Sequence, residues 1–189
     1  MRLLANQFEK GGVYHLYNHS AKGALLFNDR SDYQSCVTLL NKYIDPHYYA
    51  IIAYCLMPNH YHILLQQLTT HAVFEPFSRI WHHYSTQYNT RHHSYGSIFC
   101  QKLQHVQIRE ETYLLNLCAY IHMNPVAASL ADKAEDWEWS NYLEWIDKRP
   151  SKLFNPFFRD SYFGSPKNYH ETIDQITWDK LSAKYLLDK

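Results

Sequence analysis

Glycine is scarce in this chain, 5 in 189 residues, and proline numbers only 7. Few positions can take a left-handed or N–H-free backbone, so the breaks between segments are easy to locate. Hydrophobic residues make up 46% and low-complexity tracts are absent, which excludes a disordered chain. There is no excess of one charge: 18 Lys and Arg balance 18 Asp and Glu. That balance argues against a protein that holds nucleic acid by bulk positive charge, though not against one whose basic residues are gathered locally. No run approaches the roughly 18–20 apolar residues of a membrane span, and the opening MRLLANQFEKGG has no signal-peptide core. Cys36, Cys55, Cys100 and Cys118 are far apart with no C-x-x-C pair, so buried free thiols in a reducing compartment are expected. These absences predict a cytoplasmic protein without a membrane partner.

Histidine and tyrosine are abundant instead, at 13 and 17. Histidine is the more informative, because it ligates metals and moves protons near neutral pH. Residues 13–18 (VYHLYN) alternate and predict a strand, and 29–45 carry Tyr33, Val37, Leu40 and Ile44 at helical spacing, ended by Pro46. The runs 48–56 (YYAIIAYCL) and 60–66 (HYHILLQ), joined through Met57-Pro58-Asn59, read as an antiparallel hairpin. A helix is expected over 71–90 and a strand over 103–108. A second acid-led helix is expected over 110–123, stopping at Asn124-Pro125. The first six elements read βαββαβ. That is the ferredoxin-like α+β plan, an antiparallel sheet with helices on one face. A core domain over 8–145 and a C-terminal extension over 146–189 are expected, the latter opening near KRPSKLFNPFF.

His60 and His62 are at i and i+2, so on a strand they share a face while Tyr61, Ile63 and Leu65 share the other. If the latter pack under the helices, the two imidazoles lie on the opposite, open face, placed to grip a divalent metal. They could equally be two surface histidines. Tyr120 and Asn124 are at i and i+4 on one helix face. A phenol can attack phosphorus where a metal polarises the phosphate, and an amide oxygen can complete a metal site. An aromatic stripe of Tyr113, Leu117 and Tyr120 is as compatible with an ordinary core, and periodicity does not decide between them.

YHLYNHS at 14–20, AYCLMPNHYHILL at 53–65, GSIFCQK at 96–102, YIHMNPVAASL at 120–130 and WEWSNY at 137–142 together resemble the REP-associated tyrosine transposases, single-tyrosine HUH enzymes. The resemblance implies a ferredoxin-like fold. It also implies a Mg²⁺- or Mn²⁺-dependent endonuclease and strand transferase for single-stranded DNA beside a hairpin. By motif position, His60, His62 and Asn124 would be metal ligands and Tyr120 the nucleophile of a 5′-phosphotyrosine intermediate. The motifs also depart from the family: His19-Ser20 stands where Arg-Gly is usual, and Val126-Ala127-Ala128-Ser129 lacks an expected arginine. Lost arginine contacts would weaken phosphate binding. A non-catalytic protein that binds structured DNA is therefore the alternative, and a metal-dependent phosphoesterase a third. Related transposases include dimers and monomers, which leaves a homodimer open.

Position also redistributes the charge. Between Pro76 and Arg109 there is no Asp or Glu, while Arg79, Arg91, Lys102 and Arg109 lie there with five histidines. Trp81, Tyr84, Tyr88, Tyr95 and Phe99 are interleaved with them. Cations among aromatics suit single-stranded or hairpin DNA, where bases stack and phosphates pair. The same pattern fits an amphipathic helix and loop whose aromatics are core.

Overall fold

Alternating runs VYHLYNH and HYHILLQQ form the central strands of the protein, β1 (Val13–His19) and β3 (His60–Gln67). The computed structural model describes residues 8–21 and 24–175. With β2 (Tyr49–Met57) and β4 (Gln104–Ile108) at the edges, they make a four-stranded antiparallel sheet in the order β2-β3-β1-β4. Pro58 and Asn59 close the β2–β3 hairpin, as their turn chemistry predicts. The helices are α1 (Arg30–Tyr43), α2 (Phe74–Arg91) and α3 (Glu111–Ala127), followed by a 3₁₀ turn at Ala134–Asp136. The short helices α4 (Tyr142–Trp145), α5 (Pro156–Phe163) and α6 (Pro166–Gln175) complete the described chain. The architecture is α+β, and βαββαβ is the order of its first six elements. No described helix is long and apolar enough to cross a membrane.

The period-2 alternation divides the core in two. Tyr14 and Leu16 of β1 and Tyr61, Ile63 and Leu65 of β3 pack against α1 and α2 on one face. Leu64 and residues of β2 face α3 on the other, in a second cluster that α6 joins through Tyr169 and Ile173. The face left open by the sequence pattern is thus covered, because α3 crosses back over it. α3 also continues past Asn124-Pro125 to Ala127, where the sequence predicts a stop. Proline removes only its own N–H, and the ladder resumes as Ala128 N–H donates to Asn124 O and Leu130 N–H to Pro125 O. Pro125 and eight other buried residues hold α3 against the sheet. Its final turn places Asn124 inside the helix.

An irregularity in β2 sets which side chains meet α3. The pairing Ile51↔Leu65 is followed by Ala53↔Leu64, so Ile52 is an inserted residue. It reverses the phase of the strand: Tyr54 and Leu56 then face the first cluster, and Cys55 and Met57 the second. The groups freed by the bulge are taken up by Asn141 of the WEWSNY segment and by Trp145 just beyond it. Asn141 Nδ2 and Trp145 Nε1 both donate to Ile52 O, at 2.9 and 2.8 Å, and Tyr54 N–H donates to Asn141 Oδ1 at 2.6 Å. Of the expected extension over 146–189, residues 176–189 lie outside the described residues.

Candidate active site

The β1–β3 register pairs Tyr17 with His62 and His19 with His60, so His15, Tyr17 and His19 project from the same face as the two β3 imidazoles. The rings form a row. His60 and His62 have centroids 5.0 Å apart. His19 stacks on His60 at 5.3 Å, and His15 on His62 at 5.1 Å. His62 is fully buried and His60 partly so.

Each β3 histidine is held through Nδ1. His60 Nδ1 lies 2.8 Å from Asn59 Oδ1. An amide oxygen only accepts, so the proton sits on Nδ1 of the neutral ring and the lone pair on Nε2. His62 Nδ1 lies 3.0 Å from His15 Nε2. When His62 donates in that bond, its lone pair is likewise on Nε2. This is how imidazoles that ligate metals are commonly oriented, by a partner at the other nitrogen.

α3 brings Tyr120 to this row. Its ring stands edge-on to His62, with centroids 5.7 Å apart, and is only 5% exposed. Asn124, one turn on and also buried, donates Nδ2 to Tyr120 O at 2.9 Å. The donor end of the amide is therefore engaged within the helix, and Oδ1 is the end a cation can use. Two imidazole nitrogens and an amide oxygen form a donor set that fits a divalent ion, and suits a transition-series ion such as Mn²⁺ at least as well as Mg²⁺.

His122, two residues beyond Tyr120, is fully buried and was not singled out by sequence. Its Nε2 donates to Asn141 Oδ1 at 3.0 Å, and its Nδ1 accepts from the Tyr169 hydroxyl at 2.6 Å. The tautomer follows from Asn141, whose Nδ2 is already committed to Ile52 O. Burial lowers the His122 pKa to about 4, so the ring is neutral near pH 7. Through it α3, the β2 bulge and α6 are tied together behind the tyrosine.

The basic stretch separates into different environments. Arg79, Lys102 and Arg109 are exposed, Arg109 with its guanidinium on Gln107 Oε1. Arg91 instead reaches back to α1, pairing with the fully buried Asp32 and donating to Ser35 Oγ. Among the aromatics Trp81, Tyr84 and Tyr88 belong to the first core cluster, whereas Tyr95 is 96% exposed. His92 Nε2 also meets Asp32, at 2.9 Å. With Asp29, these groups form a cluster whose ligand atoms lie within 4.8 Å of one another and could hold a cation. Asp29 caps α1 by accepting from Asp32 N–H, and Arg91 already offsets the Asp32 charge, so an ion pair and a helix cap account for the cluster. Three of the four cysteines are buried as expected, but Cys100 is exposed.

Two further residues of the candidate site, His15 and His19, emerge from the sheet pairing. The alternation of YHLYNH puts His15 and His19 on one face, yet only the β1–β3 register shows that it is the face of His60 and His62. No protein-family model and no curated protein matches the sequence. Among solved structures the chain is similar to a REP-associated tyrosine transposase bound to a REP hairpin, with a TM-score of 0.56 and 15% identity. The match covers 78% of this chain and 93% of that one. At that identity the likeness lies in the fold: the chain has the architecture of a tyrosine transposase.

Proposed function

We propose that the chain is a metal-dependent endonuclease and strand transferase acting on single-stranded DNA beside a hairpin. Tyr120 is the nucleophile, and His60, His62 and Asn124 are the metal ligands. The observation that carries this reading is the seating of Tyr120 edge-on to His62, at 5.7 Å, in a protein whose fold is that of a hairpin-bound transposase. A bound divalent ion would polarise the scissile phosphate and ease departure of the 3′ oxygen. The Tyr120 oxygen loses its proton and bonds to phosphorus. The bond from phosphorus to the 3′ oxygen breaks, and that oxygen takes up a proton. The 5′-phosphotyrosine link retains the phosphodiester energy, so rejoining to another 3′-OH needs no nucleotide cofactor. Arg79, Lys102 and Arg109 are the cations available to phosphates, while Arg91 is committed to Asp32.

The test combines the protein with Mn²⁺ and hairpin-bearing single-stranded DNA, and looks for a protein–DNA adduct that survives denaturation. Tyr120→Phe is expected to abolish it, and an adduct formed by that variant removes Tyr120 as nucleophile. A second reading, a non-catalytic binder of structured DNA, draws on the burial of His62 and Tyr120 between the sheet and α3. Hairpin binding without an adduct in Mg²⁺, Mn²⁺ or Ni²⁺ would favour it.

A further inference from the structure

The outer edge of β2 is covered by two segments from the C-terminal half of the chain. Ser140 pairs with Cys55, and Phe154 with Ile51. Between these segments and α1 opens a cavity of about 320 Å³, with Tyr54 of β2 in its lining. The β2 bulge puts Tyr54 there, because it turns this residue toward α1 and the first core cluster. Val37 and Leu40 of α1, with Leu153 and the Trp139 ring, supply apolar walls.

Its polar groups divide by depth. The buried Glu144 is paired: Arg149 donates to Glu144 Oε2 and to Glu138 O, each at 2.7 Å, and also to Ser140 O. This pair cancels its own charge and fixes the inner end of the cavity. Tyr54 is 7% exposed, and its hydroxyl makes no hydrogen bond among the described residues, although the Glu144 and Arg149 charges act on it. Burial, together with the Glu144 carboxylate, holds the phenol above its usual range, so it keeps its proton and can donate. At the outer end Lys152 is exposed and has no ion pair among the described residues, while the Glu138 charge is offset by Arg30. One positive charge of the lining therefore stays uncompensated. Buried polar groups nearly always find a partner, and a carboxylate accepts more than the one bond Glu144 takes from Arg149. The inner end suits a group that both accepts and donates, and the outer end suits an anion.

We infer that this cavity binds a small hydroxyaryl carboxylate, with its hydroxyl between Tyr54 and Glu144, its ring against Trp139 and Leu40, and its carboxylate at Lys152. A hydroxyl accepts from the phenol and donates to the carboxylate at once. A flat apolar ring matches the walls between the two polar ends. An ammonium in place of the carboxylate would meet Lys152 with like charge. The site is built from α1, β2 and residues 138–153, which hold neither Tyr120 nor the β3 histidines. The inference thus goes beyond the DNA-directed function proposed above and does not depend on it.

The experiment titrates the full chain, without DNA, with 3-(4-hydroxyphenyl)propionate, its parent 3-phenylpropionate and the amine tyramine, followed by ¹⁵N-resolved NMR. The hydroxylated acid is expected to shift the amides of Val37, Leu40 and Lys152. It should bind about tenfold tighter than the parent acid, the effect of one buried, hydrogen-bonded hydroxyl. Tyramine keeps the ring and hydroxyl but reverses the charge, and should bind about tenfold more weakly than the hydroxylated acid. Tyr54→Phe removes one oxygen and leaves the walls intact. It should bring the hydroxylated acid down to the affinity of the parent and leave the parent unchanged. Lys152→Ala, at an exposed position, should weaken both acids and close the gap to tyramine. No shift with any probe means that the cavity holds water alone, and overturns the site. Shifts confined to other regions overturn it as well, as do equal binding of tyramine or a hydroxyl preference that survives Tyr54→Phe.

Discussion

Replacing Asn141 by alanine tests how the protein fixes the helix that carries Tyr120. Asn141 is 1% exposed. Its side chain donates to Ile52 O and accepts from Tyr54 N–H and His122 Nε2–H, at 2.9, 2.6 and 3.0 Å. Alanine removes all three bonds. Ile52 O keeps the Trp145 indole N–H at 2.8 Å, so it is not stranded. Tyr54 N–H and His122 Nε2–H are left buried without an acceptor. Each such donor costs about 1–3 kcal/mol, so two cost about 4 kcal/mol. For a chain of this size that corresponds to a fall of about 8–16 °C in Tm. Urea unfolding followed by far-UV circular dichroism reads the loss directly, with an unchanged m-value showing that the native fold is still the reference. Tyr169→Phe is the comparison: it removes a single donor to His122 Nδ1 and should cost about 1 kcal/mol. A loss below about 1 kcal/mol in Asn141→Ala, or one no larger than that of Tyr169→Phe, refutes the reasoning.

Acid should weaken the protein through His122. Burial lowers its pKa from 6.5 to about 4, so the unfolded chain takes up a proton that the folded chain refuses. The contribution is complete above pH 6.5 and lost as pH falls toward 4, a decline on the order of 3 kcal/mol. His122→Gln should flatten that slope in urea titrations at a series of pH values, and an unaltered slope contradicts the assignment. Arg91→Ala should cost about 2 kcal/mol, because the buried Asp32 loses its guanidinium, while Arg79→Ala on the surface should stay within about 0.5 kcal/mol. Equal losses in urea would dispute this division of the basic stretch. His15→Ala removes the partner of His62 Nδ1 and should lower Mn²⁺ affinity about 10- to 100-fold by isothermal titration. Unchanged affinity would remove either His62 as ligand or His15 as its support.

The elements most legible in the sequence were those governed by short-range chemistry. Alternation in VYHLYNH and HYHILLQQ, the Pro-Asn turn and the amphipathic spacing of Tyr33 and Leu40 each act within a few residues, and the structure follows them. What escaped depends on pairing across long separations. Ile52 reads as one more residue of a strand until Asn141 and Trp145, some 90 positions away, claim its carbonyl. Pro125 reads as a helix stop until burial against the sheet carries α3 one turn further and covers the histidine face. His15 acquires a meaning only when β1 pairs with β3 in the register that sets it beside His62.

The same distinction resolves the zero net charge. Arg30 is paired with Glu138, Arg91 with Asp32, Lys148 with Glu135, Arg149 with Glu144, and Arg159 with Asp147 and Asp160. Arg79, Lys102 and Arg109 have no carboxylate partner among the described residues. Counting charges treats every lysine and arginine alike, whereas pairing removes from the account those whose fields are cancelled within a few ångströms. Within the stretch that lacks carboxylates, a phosphate would encounter three exposed cations, Arg79, Lys102 and Arg109, whose fields are not cancelled in this way. Neutrality of the whole chain is thus compatible with a local, salt-sensitive attraction for DNA, of a strength set by a few contacts and not by total charge.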